Sequence, residues 1–525
     1  MIRRASILMV TLCFAGWAGP AVAQAQISEA WTRGSTVNPD ARNVSARATA
    51  MGDLEASVEE PQDRINLYGF SDNPAGLLAD RDSSSLEESS RYDQFHDAYF
   101  GTPHSVLQRQ SGITAALRHG RDWVLGLEGI YGGVNASRHD LNPSPDNSRF
   151  IRDFDILYPT SFDPALHDYH ISATVTTPRV GVTYGRTFFK KVTVAGRVRY
   201  RHESEDRVVP NPYLLNSSST QLSLGGGALA HRQLGSLRLT IGGSAAWMAN
   251  HVRGLSSGPF NEDHYDWDRP LVSYSAQLGL QCGTWLRGIV DGRHHSSNGE
   301  EIAEVNWASQ YFLNPLPTNP TNPNVGVFKA KWSALLSGLR HNEVATRWMA
   351  DLPGTPAHVG AEWSYYRELE WVRPNPSVLP SALPLDVRRL GYTARTGVSV
   401  DLPDGKGLVG TELELNREGR KDYSGALPDI SVSEMNYHFG AEYRALSRLP
   451  IRAGFVVIRR DPDRRDGQPP LKGSRLTGGV GYFWGFLGTQ IDASYSHEHV
   501  RATPGDPSQE LSRGDQALIM LRYSF

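Results

Sequence analysis

Cysteine is nearly absent: two in 525 residues leave no material for a disulfide scaffold or a cysteine-rich metal site. Positive charge is not in excess either, since 53 Lys and Arg face 56 Asp and Glu for a formal charge of −3. The basic footprint of a nucleic-acid binder is missing, and nucleic acid is not an expected partner. After the N-terminus no long apolar run occurs, which excludes a bundle of membrane-spanning helices. No nucleotide-binding motif appears, and no pattern asks for a cofactor. What the chain has is 51 glycines and a 10% aromatic share on a 39% hydrophobic background, too apolar for intrinsic disorder. That combination is expected of a large β-protein.

The first residues set the compartment. Arg3 and Arg4 precede an apolar run from Ile7 to Ala18, and Ala21-Val22-Ala23 follows. This is the three-part layout of a secretory signal peptide over residues 1–23. Cys13 falls within it, so the mature chain keeps Cys282 alone and forms no internal disulfide. Export from the cytoplasm of a two-membraned bacterium is the expectation.

From residue 84 to 525 the chain alternates with a period of two. Val192, Val194, Val198 and Tyr200 share one face, and Thr193, Arg197, Arg199 and Arg201 the other. Val409, Thr411, Leu413 and Leu415 oppose Glu412, Glu414 and Asn416; Met435, Tyr437, Phe439, Ala441 and Tyr443 oppose Asn436, His438, Glu442 and Arg444. Val272, Tyr274, Ala276 and Leu278 oppose Ser273, Ser275 and Gln277. Strict alternation means strands with one apolar and one polar face. A soluble sandwich would turn the apolar faces inward. Here Arg, Glu, Asp and His fill the polar faces strand after strand, which suits a water-filled lumen with lipid outside.

Connection lengths agree. Tight joints at Arg118–Asp122, Phe188–Lys191, Gln233–Ser236, Asp404–Lys406 and Leu446–Pro450 alternate with long polar stretches near 135–169, 203–216, 252–267, 297–326, 373–385 and 461–473. Short inner turns and long outer loops mark an outer-membrane barrel, an all-β fold of about 14–18 antiparallel strands. In Asp515–Phe525 one face carries Ala517, Ile519, Leu521, Tyr523 and Phe525. A terminal aromatic on an amphipathic strand resembles the signal read by the barrel-assembly machinery, so Tyr523 and Phe525 are its expected contacts. Outer-membrane lipid is the other expected partner.

Residues 24–83 do not alternate. They contain Ala48-Thr49-Ala50-Met51-Gly52 and, some twenty residues on, Asn73-Pro74-Ala75-Gly76-Leu77. The pair resembles the long-chain fatty acid transporter (FadL) family of outer-membrane proteins. The resemblance implies an N-terminal segment folded into the lumen as a hatch, with the Asn73–Leu77 element part of it, and transport of a small hydrophobic ligand. After Met-Gly the chain has Asp53, Leu54 and Glu55 where that family has small residues, and the family barrel has fewer strands. The expected function is therefore a passive, hatch-gated outer-membrane transporter rather than an open porin.

One patch suggests chemistry instead. His295, Ser297, Asn298 and Gly299 form His-x-Ser-Asn-Gly, which resembles outer-membrane phospholipase A and, more loosely, lipid A deacylases. Residues i and i+2 share a strand face, so an imidazole at 295 could take the proton of a serine at 297, with Asn306 as a third member. Parity opposes this acyl-hydrolase alternative. Arg287, Ile289, Asp291 and Arg293 lie on the same face as His295 and Ser297, while Leu286, Gly288, Val290 and Gly292 make the more lipid-like face. Asp461, Asp463, Asp466 and Gly467 miss the spacing of a calcium loop by one, and no metal is expected.

Overall fold

A computed structural model describes residues 45–58, 73–76, 84–97, 104–119, 122–140, 169–189, 191–209, 213–257, 262–268, 270–307, 328–374, 385–423, 430–462, 471–484, 488–502 and 512–524. The signal-peptide residues, Leu77, Asp463, Asp466, Gly467 and Phe525 lie outside them. One short helix, α1 (Ala46–Ala50), precedes the strands. These are β1 (Ser85–Asp97), β2 (His104–His119), β3 (Trp123–Asp140), β4 (Tyr169–Phe188), β5 (Val192–Val209) and β6 (Tyr213–Leu234). Then come β7 (Leu237–Ser257), β8 (Glu262–Asp268), β9 (Leu271–Cys282), β10 (Leu286–Trp307), β11 (Phe328–Asp351) and β12 (Ala357–Pro374). The last are β13 (Leu385–Asp401), β14 (Gly407–Asp422), β15 (Ile430–Leu446), β16 (Leu449–Pro462), β17 (Leu471–Trp484), β18 (Thr489–Ala502) and β19 (Ser512–Ser524).

Every strand pairs antiparallel with its neighbours, and β1 pairs with β19 from Ser85↔Ser524 to Asp97↔Ser512. The sheet is closed. β8 and β9, which end at Asp268 and begin at Leu271, are one wall position. Against β7 they keep a single register, His251↔Asp268 and Met248↔Leu271, and against β10 likewise, Glu300↔Asp268 and Ser297↔Leu271. Pro270 has no N–H to give to the ladder, which accounts for the break. Nineteen elements thus make an eighteen-strand barrel. The even number puts Ser85 and Ser524 at one end, together with all of the tight turns.

The pleat sorts side chains as the alternation predicts. Val194, Val198, Tyr274, Leu278, Val409, Phe439 and Tyr443 are exposed on the outside, while Thr193, Ser275, Gln277, Glu412, His438 and Glu442 are buried on the inside. On β13 the outward apolar run extends from Leu390 to Val400. Ten steps at ~3.3 Å, tilted by ~40°, cover roughly 25 Å, the height of an outer-membrane apolar band.

Several stretches expected to be loops are strand. β5 continues to Val209 and β6 begins at Tyr213, and β10 runs through the His-x-Ser-Asn-Gly patch to Trp307. Beyond the apolar band no lipid demands an apolar face, so the alternation fades. Backbone N–H and C=O groups still need partners, and the ladder goes on.

Candidate functional site

The inside of the barrel holds part of its own N-terminal segment. Ser45 caps α1 by accepting from Arg47 N at 3.1 Å and Ala48 N at 3.3 Å. The helix stops where Gly52 turns left-handed (φ 72°): Gly52 N donates to Thr49 O and Asp53 N to Ala48 O, at 3.2 and 2.8 Å. That pair of bonds closes the end of a helix, and Gly is the residue that takes the positive φ at least cost. The Ala-Met-Gly motif is thus a helix stop. It lies flat on the wall, because a Cβ on inward-facing Gly440 would strike Met51 O, and one on Gly454 would strike Gly52 N. Thr477 Oγ1 accepts from Gly52 N and donates to Ala50 O, both at 3.0 Å.

The three residues that depart from the family pattern are the ones that grip this barrel. Asp53 pairs with Arg475 at 2.5 Å and Glu55 with Arg395 at 2.9 Å, while Leu54 packs with Met51, Val58 and Leu408. Glu412 accepts from Ser57 N at 2.7 Å, Ser57 Oγ at 2.8 Å and Glu55 N at 3.0 Å. His438 Nδ1 donates to Gly52 O at 2.6 Å, with Nε2 2.9 Å from Glu414. Arg47 and Arg452 both bind Glu442, at 2.7 and 2.8 Å, and Arg452 also reaches Asp492 at 2.5 Å. The polar inner face of β13–β18 is therefore not simply bathed in water. Much of it is buried against the segment and paired with it.

The second motif docks on another sector. Asn73 is fully buried, and its Nδ2 donates to Ala228 O at 3.1 Å and Gln277 Oε1 at 3.0 Å. Its Oδ1 accepts from Ala75 N at 3.0 Å, an Asx-turn that bends the chain at Pro74. A Cβ on Gly227 would collide with that Oδ1. Ala75 packs among Ala116, Val124, Ala195, Leu229 and Ile289, and Gly76 N donates to Asn73 O at 3.0 Å. Between them, the two motifs reach opposite-lying parts of the wall, β12–β19 and β2–β10.

His295 and Ser297 share the inward face of β10, as parity predicts, and Ser297 is buried. They belong to a polar column that begins at Gln277. Gln277 Nε2 donates to Asp291 at 3.1 Å, Asp291 binds Arg293 at 2.6 Å, and Arg293 lies 3.7 Å from Glu343. The His295 ring sits 5.7 Å from that of His341, which in turn contacts Glu368 at 3.2 Å. Asn306 comes nine positions after Ser297, where its backbone pairs with Lys329 and Glu262. On the lipid-facing side the neighbour is His294, 2.8 Å from Asn342. Asp461 holds Arg459 at 3.0 Å. Tyr523 pairs with Leu86 across the closing seam.

Sequence reasoning passed over one group. Leu518, Met520, Val456, Ile458, Leu229 and Ile289 are apolar yet point inward and are buried. Leu518 and Met520 enclose Ala46, whose N–H meets Met520 Sδ at 3.1 Å. The signal was available, because β16 and β19 read apolar on both faces where a wetted wall would not.

No protein-family model matches the chain, and no curated protein sequence does. Among solved structures the chain is similar to the Ralstonia pickettii toluene transporter TbuX, at 13% identity and TM-score 0.35 over 92% of this chain and 99% of that one. It is also similar to the Pseudomonas putida toluene transporter TodX, at 11% and 0.33 over 91% and 97%. A third is the E. coli ferric-catecholate receptor Fiu, at 9% and 0.42 over 85% and 82%. The architecture rests on the strand pairing itself.

Proposed function

We infer that this chain is an outer-membrane conduit through which small hydrophobic molecules move passively, with the segment up to residue 83 acting as its hatch. One observation carries the reading: the N-terminal segment is held inside the barrel by side chains of the wall, from Arg47–Glu442 to Asn73–Gln277. A barrel of this size without contents would be an open aqueous channel, whereas contents make passage selective. The tight-turn end, with both chain ends, faces the periplasm in this reading. The hydrophobic nature of the cargo follows from the family resemblance. Passive movement follows from the lack of any nucleotide motif and of ATP at an outer membrane.

Deleting residues 24–83 from the mature chain tests it in planar bilayers. The truncated barrel, checked for folding by its faster migration on unboiled gels, conducts small ions better than the full chain. Equal conductance would retire the hatch and favour a purely structural barrel.

A further inference from the structure

The outer surface of β11–β17 ends in a collar of cations. Following β12, β13, β14 and β16 away from the tight turns, the outward face meets a basic residue after its exposed apolar side chains, whereas β15 has Ser433 and Ser431 there. On β12 it is Arg367 after Trp363 and Tyr365, with Leu369 and Trp371 beyond it before Arg373, and on β13 Arg388 after Leu390. On β14 it is Arg417 after Leu415, and on β16 Arg459 after Phe455 and Val457. Arg340 on β11 and Lys472 on β17 stand one outward position further along. The outward acids on these strands, among the described residues, are Asp386 and Asp461. Each already has an arginine, Arg373 at 3.3 Å and Arg459 at 3.0 Å.

Two features set this apart from an ordinary wetted rim. First, like charges are paired directly across the sheet: Arg388 opposes Lys421, and Arg459 opposes Lys472. Directly opposed like charges destabilise a sheet unless something of opposite sign lies between them. Tyr423, one outward position beyond Lys421, steadies the first pair, with Arg388 Cζ 4.8 Å and Lys421 Nζ 5.1 Å from its ring centroid. Arg388 Nε is nonetheless buried with no hydrogen-bond acceptor among the described residues. Second, the cations are densest on this flank. On β5 and β6 the matching outward positions are His202, Thr220 and Ser218, and on β2 a single arginine, Arg109, lies over Tyr92.

We propose that the β11–β17 collar binds the phosphorylated head groups of outer-leaflet glycolipid. Guanidinium groups match phosphate oxygens in geometry as well as charge, and a phosphate between Arg388 and Lys421 turns their repulsion into attraction. The collar stands immediately beyond the apolar band, at the depth where head groups begin. The inference rests on the barrel lying in an outer membrane with its tight turns inward. It does not depend on what passes through the lumen.

The test uses the full mature protein in detergent, with bis-phosphorylated lipid A as probe and chemically dephosphorylated lipid A beside it, read by native mass spectrometry. Wild type binds the phosphorylated probe at least tenfold more tightly, and added salt weakens that binding. Arg388→Gln, Lys421→Gln, Arg459→Gln and Lys472→Gln together remove the preference. Arg186→Gln, outward at the opposite end of the barrel, leaves it intact. The paired change Arg459→Gln with Lys472→Gln gives an intermediate loss and covers the case in which the fourfold variant does not fold. Equal affinity of wild type for both probes, or an unchanged preference in the folded collar variants, would overturn the proposal while leaving the conductance test untouched.

Discussion

Glu442 is buried among three arginines, Arg47 from the inner segment and Arg452 and the more exposed Arg444 from the wall. Removing one member of a buried ion cluster strands the others without solvent, at a cost of about 3–5 kcal/mol. Glu442→Leu is therefore expected to lower the temperature at which the folded, fast-migrating band disappears, and more so than Lys406→Leu, which removes the exposed Lys406–Asp404 pair. Equal shifts would mean that the Arg47–Glu442–Arg452 cluster contributes no more than a surface pair. The same scale decides the catalytic alternative. Ser297 faces inward beside a chain of acids and histidines, whereas hydrolysis of a membrane lipid needs the nucleophile on the lipid side. Ser297→Ala and His295→Ala should leave acyl release from phospholipid or lipid A at background, as in wild type. An activity that either substitution abolishes would restore the hydrolase.

At the scale of elements, α1 and the turn after it stay on the wall because Gly440 and Gly454 leave room for backbone. Gly454→Val puts a branched side chain where Gly52 N now lies. The barrel strands can keep their ladder, since valine suits a strand, but the inner segment must lift. Conductance of Gly454→Val should approach that of the 24–83 deletion, with normal migration on unboiled gels. Closed behaviour in a folded variant would show that the docking of Met51–Gly52 is dispensable.

For the whole molecule, an even strand number and a seam between β1 and β19 leave two kinds of end. Joints of the Asp404 kind belong to one, and the connection between β14 and β15, residues 424–429, to the other. In a Cys282→Ser background, Ala426→Cys should react with a membrane-impermeant maleimide on intact cells, and Asp404→Cys only after the outer membrane is breached. The reverse pattern would invert the barrel, and the lipid-facing collar with it.

Much of this was legible from residues alone. Period-two alternation is a local property, because successive side chains of a strand must point to opposite sides, so the outward face of β5, β14 and β15 could be assigned residue by residue. Parity likewise turned His295 and Ser297 inward without any coordinates. Turn chemistry is local too, so Asn-Pro and Gly at 73–76 read as a turn, whereas Ala-Met-Gly stood out only through a family resemblance and its role as a helix stop came from the structure. Strand ends were not legible, since β5, β6 and β10 continue where lipid no longer imposes a pattern. Nor could the alternation tell that Pro270 splits one wall position, because register is a relation between strands. Above all, only the tertiary structure joined residues hundreds of positions apart, Arg47 with Glu442 and Asn73 with Gln277. Whether an inward charge faces water or a partner depends on what fills the barrel, and that is decided by closure of the sheet around its own N-terminal segment.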